Sequence, residues 1–195
     1  MKVKDLILYQ VATDRDYKVG DKLYFGDTPN GQEFNCLNLS FNKDGKPFHE
    51  LGFELVDKKK NPDLIIDLSK ALSNYDFIMR EFALEEVRKE KFPNLPSRFR
   101  CMFLSEDKDT CLHNIQGFIN RGAGKHIQAI KVKVNGEAFF VKTFGIIRSG
   151  LSFNEYKKEA VNYWSQDQNS TDATKEILFV GDVEILEILK EYNKD

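Results

Sequence analysis

No apolar stretch in this sequence is long enough to cross a bilayer as a helix, which takes about 20 predominantly apolar residues. The run at residues 6–9 is also too short for a signal-peptide core, and acids flank it closely. Cysteine is scarce, and the three present (Cys36, Cys101, Cys111) are an odd number, which does not suit a secreted disulfide framework. The expected compartment is therefore the cytoplasm, with no membrane contact. There the glycosylation-like Asn38-Leu39-Ser40 and Asn169-Ser170-Thr171 carry no meaning. An excess of one charge is missing too. Twenty-nine basic against 31 acidic residues give a net charge of -2, so no overall positive field exists to hold a nucleic-acid backbone. Arginine is sparse, at seven of those 29. The G-x-S-x-G elbow and the glycine-rich phosphate loop are both absent. Gly122-Ala123-Gly124-Lys125-His126 has a similar composition, but it follows a helix and precedes a strand, the reverse of the order that aims helix amides at phosphate.

What the chain does have is 195 residues, 41% of them hydrophobic, with 16 phenylalanines. That is enough to bury a core without staples, and it excludes wholesale disorder. Residues 6–11 and 19–26 read as strands. Residues 27–60, rich in Gly, Asn, Asp and Lys, read as long loops with one or two weak strands. Asn61-Pro62 opens a helix carrying Leu64, Ile65, Leu68 and Leu72 at helical spacing. Asn74 caps a second helix with Phe77, Ile78, Phe82 and Val87 inside and Glu81, Glu85, Arg88 and Lys89 on the wetter side. Pro93 ends it and Pro96 prevents a restart. Residues 100–104 read as a strand, and Ser105 caps a helix over 107–120. Residues 121–124 stop that helix. Residues 127–134 alternate, Asn135-Gly136 follows, and 138–141 return, the pattern of a hairpin with a type I′ turn. Ser152-Phe153-Asn154-Glu155 is a capping box opening a helix to about residue 165. Residues 166–174 are polar. Two closing strands, 176–180 and 183–189, meet at Gly181-Asp182. This mixture, with no repeat and no linker, predicts one α+β domain over residues 1–195.

Few constellations carry chemistry. Cys101, Cys111 and His113 match no zinc spacing, which favours buried thiols and no metal site. His49 and His126 stand alone, as loop or surface residues. Pro96-Ser97-Arg98 precedes a strand, where the guanidinium would either hold a pyrophosphate bidentately or pair with Glu81 or Glu85. Phe153, Tyr156, Tyr163 and Trp164 share one helical face, as core or as the border of a ring-binding pocket.

Several segments form an ordered set along the chain. They are Leu8-Tyr9-Gln10-Val11, Gly20-Asp21, Glu86-x-Arg88 with Phe92-Pro93-x-x-Pro96-Ser97-Arg98, and Cys101-Met102-Phe103-Leu104-Ser105. Ala160-x-x-Tyr163-Trp164 and Glu176-Ile177-Leu178-x-x-Gly181-x-Val183 complete it. In this the sequence resembles a bacterial family defined as a domain of unknown function, DUF2441, which in turn resembles ADP-ribosyltransferases. The resemblance implies two small, mostly antiparallel facing sheets with flanking helices and NAD, as substrate, in the cleft. It also implies a three-part signature. A His or Arg on the first strand bonds the NAD ribose, and that position is Gln10 here. A Tyr or Ser on a middle strand shapes the nicotinamide pocket, at Phe103 or Ser105. A Glu on a late strand stabilises the oxocarbenium-like transition state, and Glu176 keeps that position. Gln10 accepts and donates hydrogen bonds but carries no charge, and Phe103 has no hydroxyl. The implied protein thus transfers ADP-ribose from NAD to an unknown acceptor, or is a catalytically degenerate relative. Glu176 is its catalytic residue, and Gln10, Arg98, Phe103, Ser105, Tyr156 and Tyr163 bind the nucleotide. The alternative is a non-enzymatic module on the same fold, with phenylalanine-rich loops between residues 27 and 53 meeting an unknown protein partner.

Overall fold

The computed structural model describes residues 1–28, 42–43, 46–47, 62–120, 124–142, 150–165 and 175–194. In chain order the elements are β1 (Lys2–Thr13), β2 (Lys22–Phe25), β3 (Asn42–Lys43), β4 (Lys46–Pro47), α1 (Pro62–Lys91), β5 (Met102–Leu104), α2 (Lys108–Asn120), β6 (His126–Lys142), α3 (Phe153–Trp164) and β7 (Lys175–Asn193). The fold is α+β, and every strand pair among the described residues is antiparallel.

The sheet is organised by two long strands. β6 lies between β1 and β7, and the far edge of β7 carries β2 and β5 in succession. β1 and β5 stand at opposite ends of this order, yet they meet. Tyr9 N donates to Ser105 O at 3.0 Å and Ser105 N to Tyr9 O at 2.8 Å. The sheet therefore curls until its ends touch. Successive strand side chains point to opposite faces, which separates two cores. One contains Leu8, Met102, Leu104, Ile130, Val132, Val134, Ala138, Ile177, Phe179, Val183 and Ile185, all from strands, and is the enclosed face. The outer face is covered by helices. Leu178 and Val141 pack against Leu84 and Val87 of α1 and Ala160, Tyr163 and Trp164 of α3. Ile127 and Ala129 pack against Cys111 and Ile115 of α2. Trp164 Nε1 donates to Leu84 O at 2.9 Å, tying α3 to α1.

Several expectations are corrected. Two facing sheets were expected. Among the described residues there is one five-stranded sheet, with β3 and β4, two residues each, as a separate ribbon, because β6 and β7 run without a break along the whole sheet. Asn135-Gly136 is not a turn, since β6 passes straight through it. Gly136 pairs with Gly181 where the two backbones approach closely. A Cβ on Gly136 would stand 2.2 Å from Val180 O, and one on Gly181 would stand 2.5 Å from Asn135 O. Gly181 also has φ +136, so the Gly181-Asp182 break expected between two strands is a glycine position inside one strand. Asn135 has its own task, as its Oδ1 accepts from Asp5 N at 2.8 Å beside the irregularity in β1.

The two helices expected over 61–92 are one 30-residue helix, since no Pro or Gly interrupts the run between Pro62 and Pro93. Asp107, not Ser105, caps α2: its Oδ2 accepts from Thr110 N at 2.6 Å. The capping box at Ser152 and Glu155 is present. Cys101 and Cys111 are buried thiols, and burial pushes both pKa values up, that of Cys111 to about 11. The readings of residues 29–41, 121–123 and 166–174, and of Cys36 and His49, lie outside the described residues. Among those described, no helix is long and apolar enough to cross a membrane.

Candidate functional site: a buried arginine between two glutamates

After α1, Pro93 and Pro96 deny the chain another helical turn, and a tight turn at Ser97 folds it back along α1. This places Arg98 against the helix it has just left. Arg98 Nε donates to Glu81 Oε2 at 2.9 Å, and its Nη2 lies 3.4 Å from Glu81 Oε1. Its Nη1 donates to Glu176 Oε2 at 2.6 Å, at the start of β7, and to Tyr163 Oη at 2.5 Å, on α3. Tyr163 Oη in turn lies 3.1 Å from Glu176 Oε2, as donor. The guanidinium carbon is 4.7 Å from the Phe103 ring centre and 5.2 Å from that of Tyr163, within cation–π range. One side chain thus joins α1, α3, β5 and β7.

The electrostatics follow from burial. The Glu81 side chain is 0% exposed, that of Arg98 12% and that of Glu176 19%. Burial works against the arginine charge, but Glu81, Tyr163 and Glu176 together outweigh it and hold the guanidinium protonated. Burial likewise pushes the Tyr163 phenol well above its usual pKa, against the pull of Arg98, so its hydroxyl stays a donor. Of the Glu81, Arg98 and Glu176 side chains, that of Glu176 is the most exposed. Arg80, whose side chain is 28% exposed, places Nη2 3.4 Å from Glu81 Oε1, and its guanidinium carbon stands 5.3 Å from the Phe77 ring centre.

Of the residues singled out in the sequence, Arg98, Phe103, Tyr163 and Glu176 come together, and of the two alternatives weighed for Arg98 the structure shows the pairing with Glu81. Three others sit elsewhere. Gln10 is opposite Ile130 on β1, on the enclosed side with Leu8, and its Oε1 is buried with no partner among the described residues. Ser105 closes the sheet through its backbone, and its hydroxyl donates to Asp107 O at 3.2 Å. Tyr156 is buried on α3, two turns before Tyr163, where its hydroxyl makes a short hydrogen bond to Asp76. The Asp76 Oδ1 atom also accepts from Gly150 N at 2.7 Å.

Glu81 and Glu85, expected on the wetter side of their helix, are both buried. The signal was there: spacing of three and four places Glu81, Leu84, Glu85 and Arg88 on one helical face, and a leucine in that stripe marks it as inward.

The family of proteins of unknown function DUF2441 matches residues 8–191. The chain belongs to that family. The match spans every residue of the Arg98 cluster, from Arg80 to Glu176, and both long strands nearly whole. No curated protein matches this DUF2441 chain.

Proposed function

We propose that this DUF2441 protein is ADP-ribosyltransferase-like and binds NAD or a related nucleotide beside Glu176. The observation that carries the reading is the Glu176 carboxylate. It is partly open to solvent, fixed by a guanidinium at 2.6 Å and a phenol at 3.1 Å, and set beside the same guanidinium that covers the Phe103 ring. A carboxylate so fixed suits N-glycoside cleavage. The bond between ribose C1′ and the pyridinium nitrogen breaks, and its electron pair leaves with neutral nicotinamide. The positive charge left on the ribose is stabilised by a fixed anion until a nucleophile, water or an acceptor, forms the new bond and loses its proton. Phe103, only partly buried, offers ring surface to a departing nicotinamide, while the buried Tyr163 serves through its hydroxyl on Glu176. Gln10 faces the enclosed core, so the reading rests on Glu176, Phe103 and Tyr163.

A second reading is favoured by the reach of Arg98. Because it ties together segments 17, 65 and 78 residues away, the cluster serves equally as a cross-link in a non-enzymatic interaction module. Calorimetric titration with NAD and an assay of nicotinamide release separate the two. The transferase reading expects binding, release, and a loss of release of roughly a hundredfold or more in Glu176→Gln, the scale of losing one transition-state electrostatic partner. A wild type that neither binds NAD nor releases nicotinamide leaves the module.

A further inference from the structure

We propose that Arg80, not Arg98, takes the substrate's phosphate, while Arg98 is a positioning residue that holds Glu176; this rests on the nucleotide reading above. The two arginines meet at one atom. Arg80 Nη2 and Arg98 Nη2 each lie 3.4 Å from Glu81 Oε1. Arg98 is engaged by Glu81, Tyr163 and Glu176 and flanked by two rings. Swinging it toward a phosphate would break its bonds to both carboxylates. Glu81, with no exposed side-chain surface, would then keep only a long contact to Arg80, and breaking a buried pair is strongly destabilising.

Arg80 has the opposite character. Among the described residues its ionic contact is that single long one, its side chain is the most exposed of the four charged ones, and the Phe77 ring supports its guanidinium. A planar fork with donors to spare is suited to bidentate phosphate recognition. The two guanidinium groups balance the Glu81 and Glu176 carboxylates in charge, and Arg80 is the more exposed of the two cations, at 28% against 12% for Arg98. From Arg80 the chain of contacts runs through Glu81 and Arg98 to Glu176 with no step longer than 3.4 Å. A nicotinamide nucleotide carries its phosphate on the same ribose that Glu176 would bond, so one small ligand presents both groups.

The test is calorimetric titration of wild type, Arg80→Gln and Arg80→Lys with NAD, nicotinamide riboside and inorganic pyrophosphate, with a thermal melt of each variant. Arg80→Gln is expected to weaken NAD and pyrophosphate binding roughly ten- to a hundredfold, the range for losing a hydrogen bond to a charged group. Riboside binding should stay unchanged, and Arg80→Lys should retain part of the pyrophosphate affinity. Equal NAD affinity in Arg80→Gln and wild type overturns the proposal and leaves the nucleotide reading standing. Equal loss of NAD and riboside also overturns it, because Arg80 would then be supporting Glu81. A wild type that binds pyrophosphate through Arg80 but not NAD overturns the nucleotide reading and keeps the anion site. A wild type that binds neither overturns both.

Discussion

Glu81 and Glu85 are one helical turn apart on α1, both buried, and each is bonded to an arginine. Arg88 meets Glu85 in a bidentate pair, Nε to Oε2 at 3.0 Å and Nη2 to Oε1 at 2.8 Å, and its Nη1 donates to Leu95 O at 3.0 Å. Ser97 Oγ completes that centre, donating to Glu85 Oε2 at 3.0 Å. Every partner lies within 12 residues of Glu85, so this centre is a clamp on the turn that follows the helix. The Arg98 centre needs α3 and β7, which arrive 65 and 78 residues later in the chain. One centre shapes a loop. The other exists only once the fold is complete, and it ends in a partly exposed carboxylate beside aromatic rings. Chemistry is expected at the second, and the difference can be broken or sharpened by substitution.

The largest effect is expected from Arg98→Met. It keeps much of the volume but leaves the buried Glu81 and the partly exposed Glu176 without their shared cation, a loss of about 3–5 kcal/mol when one member of a buried pair is removed. Urea denaturation measures it. A loss no greater than that of Arg88→Met would make the two centres equivalent and erase the contrast.

Tyr163→Phe comes next. It removes a hydroxyl that bonds a carboxylate and should cost about 1.5–3 kcal/mol at neutral pH. Its pH dependence is the sharper test. Burial raises the folded-state pKa of this phenol, so the folded protein keeps a proton that the unfolded chain releases near about pH 10. The stability it contributes is whole below that pH and is lost as pH rises toward the folded value. The advantage of wild type over Tyr163→Phe in urea midpoint should therefore shrink above about pH 10, whereas Arg88→Met should keep the wild-type alkaline decline. A wild-type advantage that holds constant into that range would mean the phenol is not buried as described.

Arg88→Met should cost about 1–3 kcal/mol, since Glu85 retains Ser97 and, at 3.8 Å, Lys89. NAD binding should not change. A loss of NAD affinity in this variant would carry the site across both centres.

The same contrast explains what could be read from the sequence. The α+β class, the start of α1 at Pro62, its end before Pro93 and the Ser152 capping box are written in local spacing, and they stand. Arg98 and Glu176 were both named, but not as partners. An ion pair across 78 residues has no local signature, and although Leu84 marks the Glu81 face of its helix as inward, no local spacing says which cation will meet Glu81 there. The clearest local signal misled for a tertiary reason. Asn135-Gly136 has the composition of a tight turn, but Gly136 is there for close approach to Gly181, and Asn135 for a backbone amide of β1. Periodicity on either side of a turn dipeptide does not distinguish two short strands from one long strand with a glycine in it. Only the partner strand does.

The smallest effect expected is that of Ser97→Ala. Its hydroxyl donates to Glu85 Oε2 at 3.0 Å and accepts from Phe99 N at 3.2 Å, so alanine loses both bonds of the turn that aims Arg98. Glu85 keeps its bidentate arginine, and the net loss should be about 0.5–1.5 kcal/mol, the ordinary worth of an intramolecular hydrogen bond. In a double-mutant cycle, Ser97→Ala with Arg88→Met should be non-additive, because both bond the Glu85 carboxylate. Ser97→Ala with Tyr163→Phe should be additive if the centres are independent. A strong coupling in that second cycle would show the turn transmitting strain from the local clamp into the Arg98 centre, which would then be one network with the clamp as its hinge.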